Sequence, residues 1–469
     1  MTPSSDSVFV TAPASKSASH RYLVGAALAR GISRVRHTLE SLDLERTRAI
    51  LCAAGADMWP LENGDGWEVR GMTIPQGGPG VDNALSCDVR ESGTTCRILT
   101  AVLAAGKGFF YIHGAARMHE RPIGELVQAL VRLGADVRFA QKPDCPPLLV
   151  HAAGLDATRC GGLVRMSMDI SSQYFSGLLL AAALASTPLT LEVAGNKAVS
   201  WPYVGLTLQC LEDFGIAFCV ETRPHTEAPW RKHDAQSRRS IASARPDCLR
   251  VTVWPGSYRP GDYLVEGDWS GASYLLAAGA LGRRPVRVGG LRENSPQGDS
   301  FFLKILKDMG ALVEVAPDAV TVFPSPLRAV ELDMNSCPDL VPTVAVLAAF
   351  ACGTSRIHNV AHLRVKESDR IAAPAAELRK AGIVAEEEPD GLIVRGVYPD
   401  RPHFAKNVMF SAHNDHRIAM SLALLGLCGR DERPTDMAAR LDDAAVVAKS
   451  FPQFWNVWKR IVEYAGAGL

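Results

Sequence analysis

Six short polar words in the chain combine hydroxyls, carboxylates and cations in the mixture that grips a small polyanion. They are Ala-Ser-Lys-Ser-Ala-Ser-His-Arg (14–21), Glu-Ser-Gly-Thr-Thr-Cys-Arg (91–97), Ile-Ser-Ser-Gln (170–173), Glu-Gly-Asp-Trp-Ser (266–270), Cys-Pro-Asp (337–339) and Asn-Asp-His-Arg (414–417). Each stands at the start of a stretch that reads as a helix, where backbone N–H groups have no intrahelical partner and attract phosphate or carboxylate. Ser, Thr and Asp at such places are also ordinary N-caps. Capping does not account for the cations. Lys16, Arg21, Arg97 and Arg417 lie in the words, and Arg117, Lys366, Arg370 and Lys449 lie near them. Brought together they would repel unless a multiply charged anion lay among them. Each charge-assisted hydrogen bond to it would contribute about 1.5–3 kcal/mol. The acidic groups Asp339, Glu367 and Asp415 remain as candidates for proton transfer.

Other chemistries lack their fingerprints. No GxGxxG follows a strand, and GxxxxGK[ST], HExxH and GxSxG do not occur. His413 and His416 stand three apart without a third ligand nearby, so they read as polar packing or anion contact rather than a metal site. Eleven cysteines are scattered without CxxC spacing and read as free thiols in a reducing compartment.

The elements that must position these words recur. One series has an Ala/Leu-rich helical stretch ending before a β-prone run, at Gly31, Gly106, near Thr187, and at Gly282, Gly353 and Gly429. A second series, at Gly55, Gly134, Gly215, Gly310 and Gly382, steps by 79, 81, 95 and 72 residues. Both lengthen at the same step, and a glycine after a helix fits a C′ residue of positive φ. The chain therefore reads as six copies of a mixed α/β unit. Six copies exceed what one core supports, so two domains of three units are expected. The irregular stretch at about 221–247, rich in Arg, Lys and His, explains the long step and reads as a peripheral surface insertion.

With 469 residues, 47% hydrophobic and 21% charged, the composition is that of a globular protein, and fifty Lys+Arg balance fifty Asp+Glu. That balance argues against a nucleic-acid partner. The start has no signal-peptide pattern and the longest apolar runs are too short to span a bilayer, so a cytoplasmic protein with no membrane partner is expected.

The words, with RMHERPIGELVQAL, SWPY, NSPQGD, RVKESDR and KSFPQFW, resemble the EPSP synthase (3-phosphoshikimate 1-carboxyvinyltransferase) family over almost the whole chain. The resemblance implies an α/β, two-domain enolpyruvyl transferase-like fold of six βαβαββ repeats, three per domain, with a ligand cleft between the domains. It places one domain at 15–266 and the other at 1–14 with 267–469. The implied reaction moves the enolpyruvyl group of phosphoenolpyruvate to the 5-hydroxyl of 3-phosphoshikimate, releasing phosphate, in the shikimate pathway to chorismate and aromatic amino acids. Protonation of the methylene makes phosphoenolpyruvate electrophilic, the alcohol adds, and deprotonation expels phosphate. Carboxylates and a lysine suffice, so no cofactor or metal is expected, and the chain is expected to act as a monomer.

Carried over by motif, Asp339, Glu367 and Lys16 are the catalytic groups, with Asp339 accepting the 5-hydroxyl proton. Lys16, Ser17, Arg21, Ser171, Ser172, Gln173, Ser200, Tyr203, Asp339, His362 and Lys366 are implied for 3-phosphoshikimate. Lys16, Gly93, Arg117, Gln173, Arg370, Arg417 and Lys449 are implied for phosphoenolpyruvate. His362 stands where the family often has Asn, Glu91 where Asn is common, and Ile98 where Pro is common. Two alternatives stand beside this reading. The sister transferase acting on UDP-N-acetylglucosamine resembles the fold, but it has SKN where this chain has Ser15-Lys16-Ser17, and its reactive Cys falls on Ala116. A non-catalytic anion-binding repeat protein would not need Lys16, Asp339, Glu367 and Arg417 together.

Overall fold

The computed structural model describes residues 7–62, 64–234, 236–237, 241, 243–292, 294–400, 408–428 and 436–466. The chain divides into two compact units, one of Lys16–Val265 and one of Met1–Ser15 with Glu266–Leu469. The helices are α1 (Lys16–Leu28), α2 (Leu42–Ala53), α3 (Gly93–Ala104), α4 (Gly124–Arg132), α5 (Ser172–Ala182) and α6 (Trp201–Asp213) in the first unit. The second unit holds α7 (Trp269–Leu281), α8 (Phe302–Asp308), α9 (Val341–Ala349), α10 (Ala372–Lys380), α11 (His416–Ala423) and α12 (Phe454–Gly466).

One strand pattern recurs in five sheets. The strands Leu85–Asp88 and Lys107–His113 pair in parallel across α3, as parallel strands need a crossover element between them, and Leu148–Ala153 and Asp136–Phe139 add antiparallel. The same parallel, antiparallel, antiparallel order holds from Leu163–Ser167 across α5 and from Glu331–Asp333 across α9. In two sheets the parallel partner comes from far along the chain. Asp262–Leu264 completes the sheet of Ile32–Arg36, and Val8–Thr11 completes that of Val286–Gly289. The sixth segment keeps a parallel bridge, Phe410 to Leu441, on either side of α11. Residues 401–407 and 429–435, with Gly429, lie outside the described residues.

Helices that are apolar nearly all round become the cores. In α3, Leu99, Val102 and Leu103 are buried, and in α5 Phe175, Leu178 and Leu179 are buried. They meet closely because Gly177 adds no side chain; a Cβ there would lie 2.9 Å from the Arg97 carbonyl oxygen. In the other unit α7, α9 and α11 bring Leu275, Leu347 and Ile418 into one cluster. Burying each such side chain contributes about 1.5–3 kcal/mol. Among the described residues no helix is long and apolar enough to cross a membrane.

All five glycines of the second series have positive φ, from 72° at Gly215 to 116° at Gly55. The first series is mixed. Gly31 and Gly353 have positive φ, whereas Gly282 has φ −72° and Gly106 is needed for closeness, since a Cβ would lie 2.3 Å from the Pro75 carbonyl oxygen.

The stretch at 221–247 is more structured than its composition suggests. Arg231–His233 adds an edge strand to Phe218–Thr222, and Trp230 lies between the Arg223 and Arg250 guanidiniums, each 4.3 Å from the ring centre. Arginine stacked on indole replaces the missing aliphatic core there. Trp201, buried in the first turn of α6, donates its indole N–H to the Ile241 carbonyl at 3.0 Å, so the stretch reaches the helix that follows Ser200. Residues 235, 238–240 and 242 lie outside the described residues. Replacing 224–245 by a short Gly/Ser linker is therefore expected to cost about 1–3 kcal/mol through the stranded indole N–H. At about 2–4 °C per kcal/mol for a unit of this size, the melting temperature should fall by roughly 2–12 °C. A calorimetric scan checks this, and an unchanged melting temperature would show the segment to be peripheral after all.

Candidate active site

Each polar word opens a helix. Ser92, Ser171, Asp268 and Asp415 accept backbone N–H bonds as N-caps of α3, α5, α7 and α11. Lys16 is the first residue of α1, and Cys-Pro-Asp begins a 3₁₀ turn running into α9.

In the unit Lys16–Val265, Lys16 Nζ pairs with Asp43 Oδ2 at 2.5 Å, both side chains 12% exposed. Asp43 is in the first turn of α2, where the helix dipole favours a carboxylate. Gln173 links two helix starts. Its Oε1 accepts from Arg97 Nη1 at 2.8 Å and its Nε2 donates to Thr94 Oγ1 at 2.9 Å. Ser172 is buried beside it at the first position of α5. Ser200 precedes α6 in the left-handed region, φ 57° and ψ 39°, a costly geometry for a residue with a Cβ and one that tends to mark functional places. Arg117 is half-buried and pairs with Glu120 at 2.7 Å.

Arg21 is placed differently from an open anion grip. It is 1% exposed and donates to Thr207 Oγ1, the Ser17 and Tyr203 carbonyls, and Ser176 Oγ. Burial lowers its pKa to about 10. The guanidinium thus ties the Ser17 turn to the start of α6, which brings Ser17 and Tyr203 together around it.

In the other unit a compact ionic cluster surrounds Asp339. Its Oδ1 accepts from Arg370 Nη1 at 2.9 Å and its Oδ2 from Arg417 Nη2 at 2.7 Å. Burial alone would push this carboxyl up, but the Arg417 and Arg370 charges, with Lys366, hold it well below the usual carboxylate range. Arg370, itself 3% exposed, also pairs with Glu367 at 3.0 Å and Asp415 at 2.7 Å. Burial works against its charge, yet Asp415, Glu367 and Asp339 more than compensate and raise its pKa. Lys449 Nζ donates to both the carbonyl and the side-chain oxygen of Asn414 at 2.8 Å. His362 is buried in the 3₁₀ turn just ahead of Lys366.

Asp415 does not fit the proton-transfer role that its residue type suggested. It is fully buried, caps α11 through the Arg417 N–H, and takes Arg370 and the Ser368 hydroxyl on its two oxygens. A carboxylate so occupied holds an arginine in place rather than exchanging protons with a substrate. Asp339 lies inside its 3₁₀ turn, whose N-cap position is Cys337, and its oxygens go to the arginines.

A sequence model described as EPSP synthase (3-phosphoshikimate 1-carboxyvinyltransferase) matches residues 4–236 and 242–458. The chain belongs to the EPSP synthase family. A 3-phosphoshikimate 1-carboxyvinyltransferase of Thiobacillus denitrificans is 38% identical over 458 residues, covering 96% of each chain. One of Shewanella sediminis is 34% identical over 454 residues, 97% of this chain and 96% of its own. Among solved structures, EPSP synthase from Acinetobacter baumannii superposes with TM-score 0.70 at 23% identity, over 97% of this chain and 96% of its own. The enolpyruvyl transferase NikO from Streptomyces tendae gives 0.69 at 19% identity, over 97% and 94%. Both show the shared fold.

Within this EPSP synthase family member, a site-building residue can lie inside a motif that assigns it no role. Arg121 is one. It is buried, donates to the Glu91 carbonyl at 3.2 Å, and lies flat against Gly93. A Cβ on Gly93 would be 2.5 Å from Arg121 Nη2, so the glycine is required by the arginine beside it. The pairing of a glycine with a charge twenty-eight positions away has no local signature. Gly93→Ala is accordingly expected to displace Arg121 and disturb the α3 start, raising the KM for phosphoenolpyruvate at least about tenfold, the loss of one charge-assisted bond, while leaving that for 3-phosphoshikimate within about twofold. Steady-state kinetics with each substrate varied in turn checks this; an unchanged phosphoenolpyruvate KM would remove Gly93 from the site.

Proposed function

We infer that this chain transfers the 1-carboxyvinyl group from phosphoenolpyruvate to the 5-hydroxyl of 3-phosphoshikimate, giving 5-O-(1-carboxyvinyl)-3-phosphoshikimate and phosphate. The observation that carries the assignment of roles is the Asp339–Arg370–Arg417 cluster, a general base and two anion-binding cations within hydrogen-bond reach of one another. Asp339 takes the hydroxyl proton. Arg370 and Arg417 hold the phosphoenolpyruvate carboxylate, and Gly93, Arg117, Gln173 and Lys449 hold its phosphate end. Glu367, on Arg370, and Lys16, on Asp43, deliver and recover the methylene proton. Ser17, Ser171, Ser172, Ser200, Tyr203, His362 and Lys366 hold the sugar phosphate, and Arg21 acts beneath them by fixing Ser17 and Tyr203.

The cluster explains how the base is timed. While both guanidiniums sit on Asp339, its proton affinity is too low for efficient base catalysis at neutral pH. The phosphoenolpyruvate carboxylate competes for the same N–H groups. Once it takes Arg417, the positive field on Asp339 weakens and its negative neighbour raises the proton affinity of the base. A phosphate-release assay with both substrates tests the function, and dependence on both is expected; release from phosphoenolpyruvate alone would contradict it. The proposed active form is a monomer acting on small molecules in the cytoplasm, with no nucleic acid or membrane partner. Size-exclusion chromatography with light scattering checks the monomer.

A further inference from the structure

Glu377 lies on α10 outside every role assigned above, and its side chain is 1% exposed. Its Oε1 accepts from His413 Nε2 at 2.8 Å and from Lys380 Nζ at 2.9 Å, and its Oε2 accepts from the Ser411 N–H at 3.0 Å. A carboxylate only accepts, so the His413 Nε2 carries the proton. These bonds end on a strained loop. His413 and Asn414 are successive non-glycine residues in the left-handed region, φ 50° and 52°. Such backbone persists only where its surroundings over-determine it. Asp442 supplies a second anchor, taking the Ser411 hydroxyl at 2.6 Å and the Ala412 N–H at 2.7 Å.

The strain has a product. Asn414, so turned, presents two oxygens to Lys449, and Asp415, next in the chain, holds Arg370 and caps α11 through the Arg417 N–H. We propose that Glu377 and His413 are positioning residues for phosphoenolpyruvate: their pairing fixes the 411–415 loop and through it the directions of Lys449, Arg370 and Arg417. This rests on the assignment of those three cations to phosphoenolpyruvate. In this role Glu377 and His413 act through the loop and not by contact with the substrate. His413 side chain is 34% exposed, so it is free to change without opening the core.

The test compares Glu377→Ala, Glu377→Gln and His413→Gln with Arg417→Gln, measuring kcat and the KM of each substrate. Glu377→Ala is expected to raise the phosphoenolpyruvate KM at least about tenfold with kcat within about threefold, because misdirected cations weaken binding more than chemistry. Glu377→Gln should recover part of that, since its amide oxygen still accepts the Ser411 N–H. His413→Gln, with the core intact, should raise the same KM about threefold or more while leaving that for 3-phosphoshikimate unchanged. A phosphoenolpyruvate KM unchanged in His413→Gln and Glu377→Gln, while Arg417→Gln raises it, overturns the proposal alone. An unchanged value in Arg417→Gln as well overturns the cation assignment and the proposal with it. Activity that falls only with the folded fraction, at constant KM, means Glu377 is merely structural and also overturns it.

Discussion

Asp339→Asn is expected to lower kcat at least about 10²-fold while tightening phosphoenolpyruvate binding, because an amide cannot take the 5-hydroxyl proton and no longer competes as an anion for Arg370 and Arg417. The two effects have opposite signs, which separates catalysis from structure. Asn keeps the shape, but its oxygen can accept from only one of the two arginines that Asp339 now serves. Some stability should be lost, since opening a buried ion pair costs about 3–5 kcal/mol when a charge is left alone, and less here because Glu367 and Asp415 still face Arg370. The sign of the pH dependence follows. Asp339 is held below its unfolded value, so its stabilising contribution is full above about pH 4 and is lost as the pH falls toward its folded pKa. The gap in melting temperature between wild type and variant should therefore be constant near neutrality and close in acid. Equilibrium binding of phosphoenolpyruvate in the presence of 3-phosphoshikimate, with single-turnover rates, checks the kinetic half. Near-wild-type turnover would move the base assignment to Glu367; weaker phosphoenolpyruvate binding would show that Asp339 orients the arginines rather than competing with the substrate.

How much of this was legible in the sequence depends on how local each cause is. A helix start is local: Ser92, Ser171 and Asp415 cap the helices that their words precede, and the glycines at 55, 134, 215, 310 and 382 turn out of helices through positive φ. The repeat was readable because such turns recur at nearly even steps, and five sheets share one pairing order. What a charge pairs with is not local. Asp43 lies twenty-seven positions from Lys16, Asp415 forty-five from Arg370, and Glu377 thirty-six from His413, and no spacing rule joins them. Side-chain direction is equally hidden. Arg21 and Lys16 stand in the same word, yet one turn of α1 sends the first into the interior, onto Thr207 and Ser176, and leaves the second at the helix start. The order within the 221–247 stretch was hidden for a related reason. Composition counts aliphatic residues, whereas this segment is held by arginines stacked on Trp230 and by backbone pairing.

Lys16→Met should cost the most, at least about 10³ in kcat/KM, because in the proposed assignment one residue supplies both binding charge and a proton. A lost charge-assisted bond removes about tenfold or more in affinity, and a lost acid–base group removes about 10²- to 10⁴-fold in rate. Both substrates should bind more weakly, unlike the outcome at Asp339. The variant also strands Asp43, which is 12% exposed and faces Lys16 at 2.5 Å, so part of any loss could come from a carboxylate left alone near anionic ligands. The double variant Lys16→Met/Asp43→Asn removes that repulsion. It should regain some substrate affinity without regaining turnover. Lys16→Arg makes the complementary division: it keeps the charge, but a guanidinium with pKa above 12 does not release a proton near neutral pH. Binding should then recover within about tenfold while turnover stays at least about 10²-fold down. Titration of each substrate onto the three variants, with phosphate release measured in parallel, reads these apart. If Lys16→Arg restored turnover together with binding, Lys16 would be a charge and nothing more, and the proton at the methylene carbon would fall to Glu367 alone.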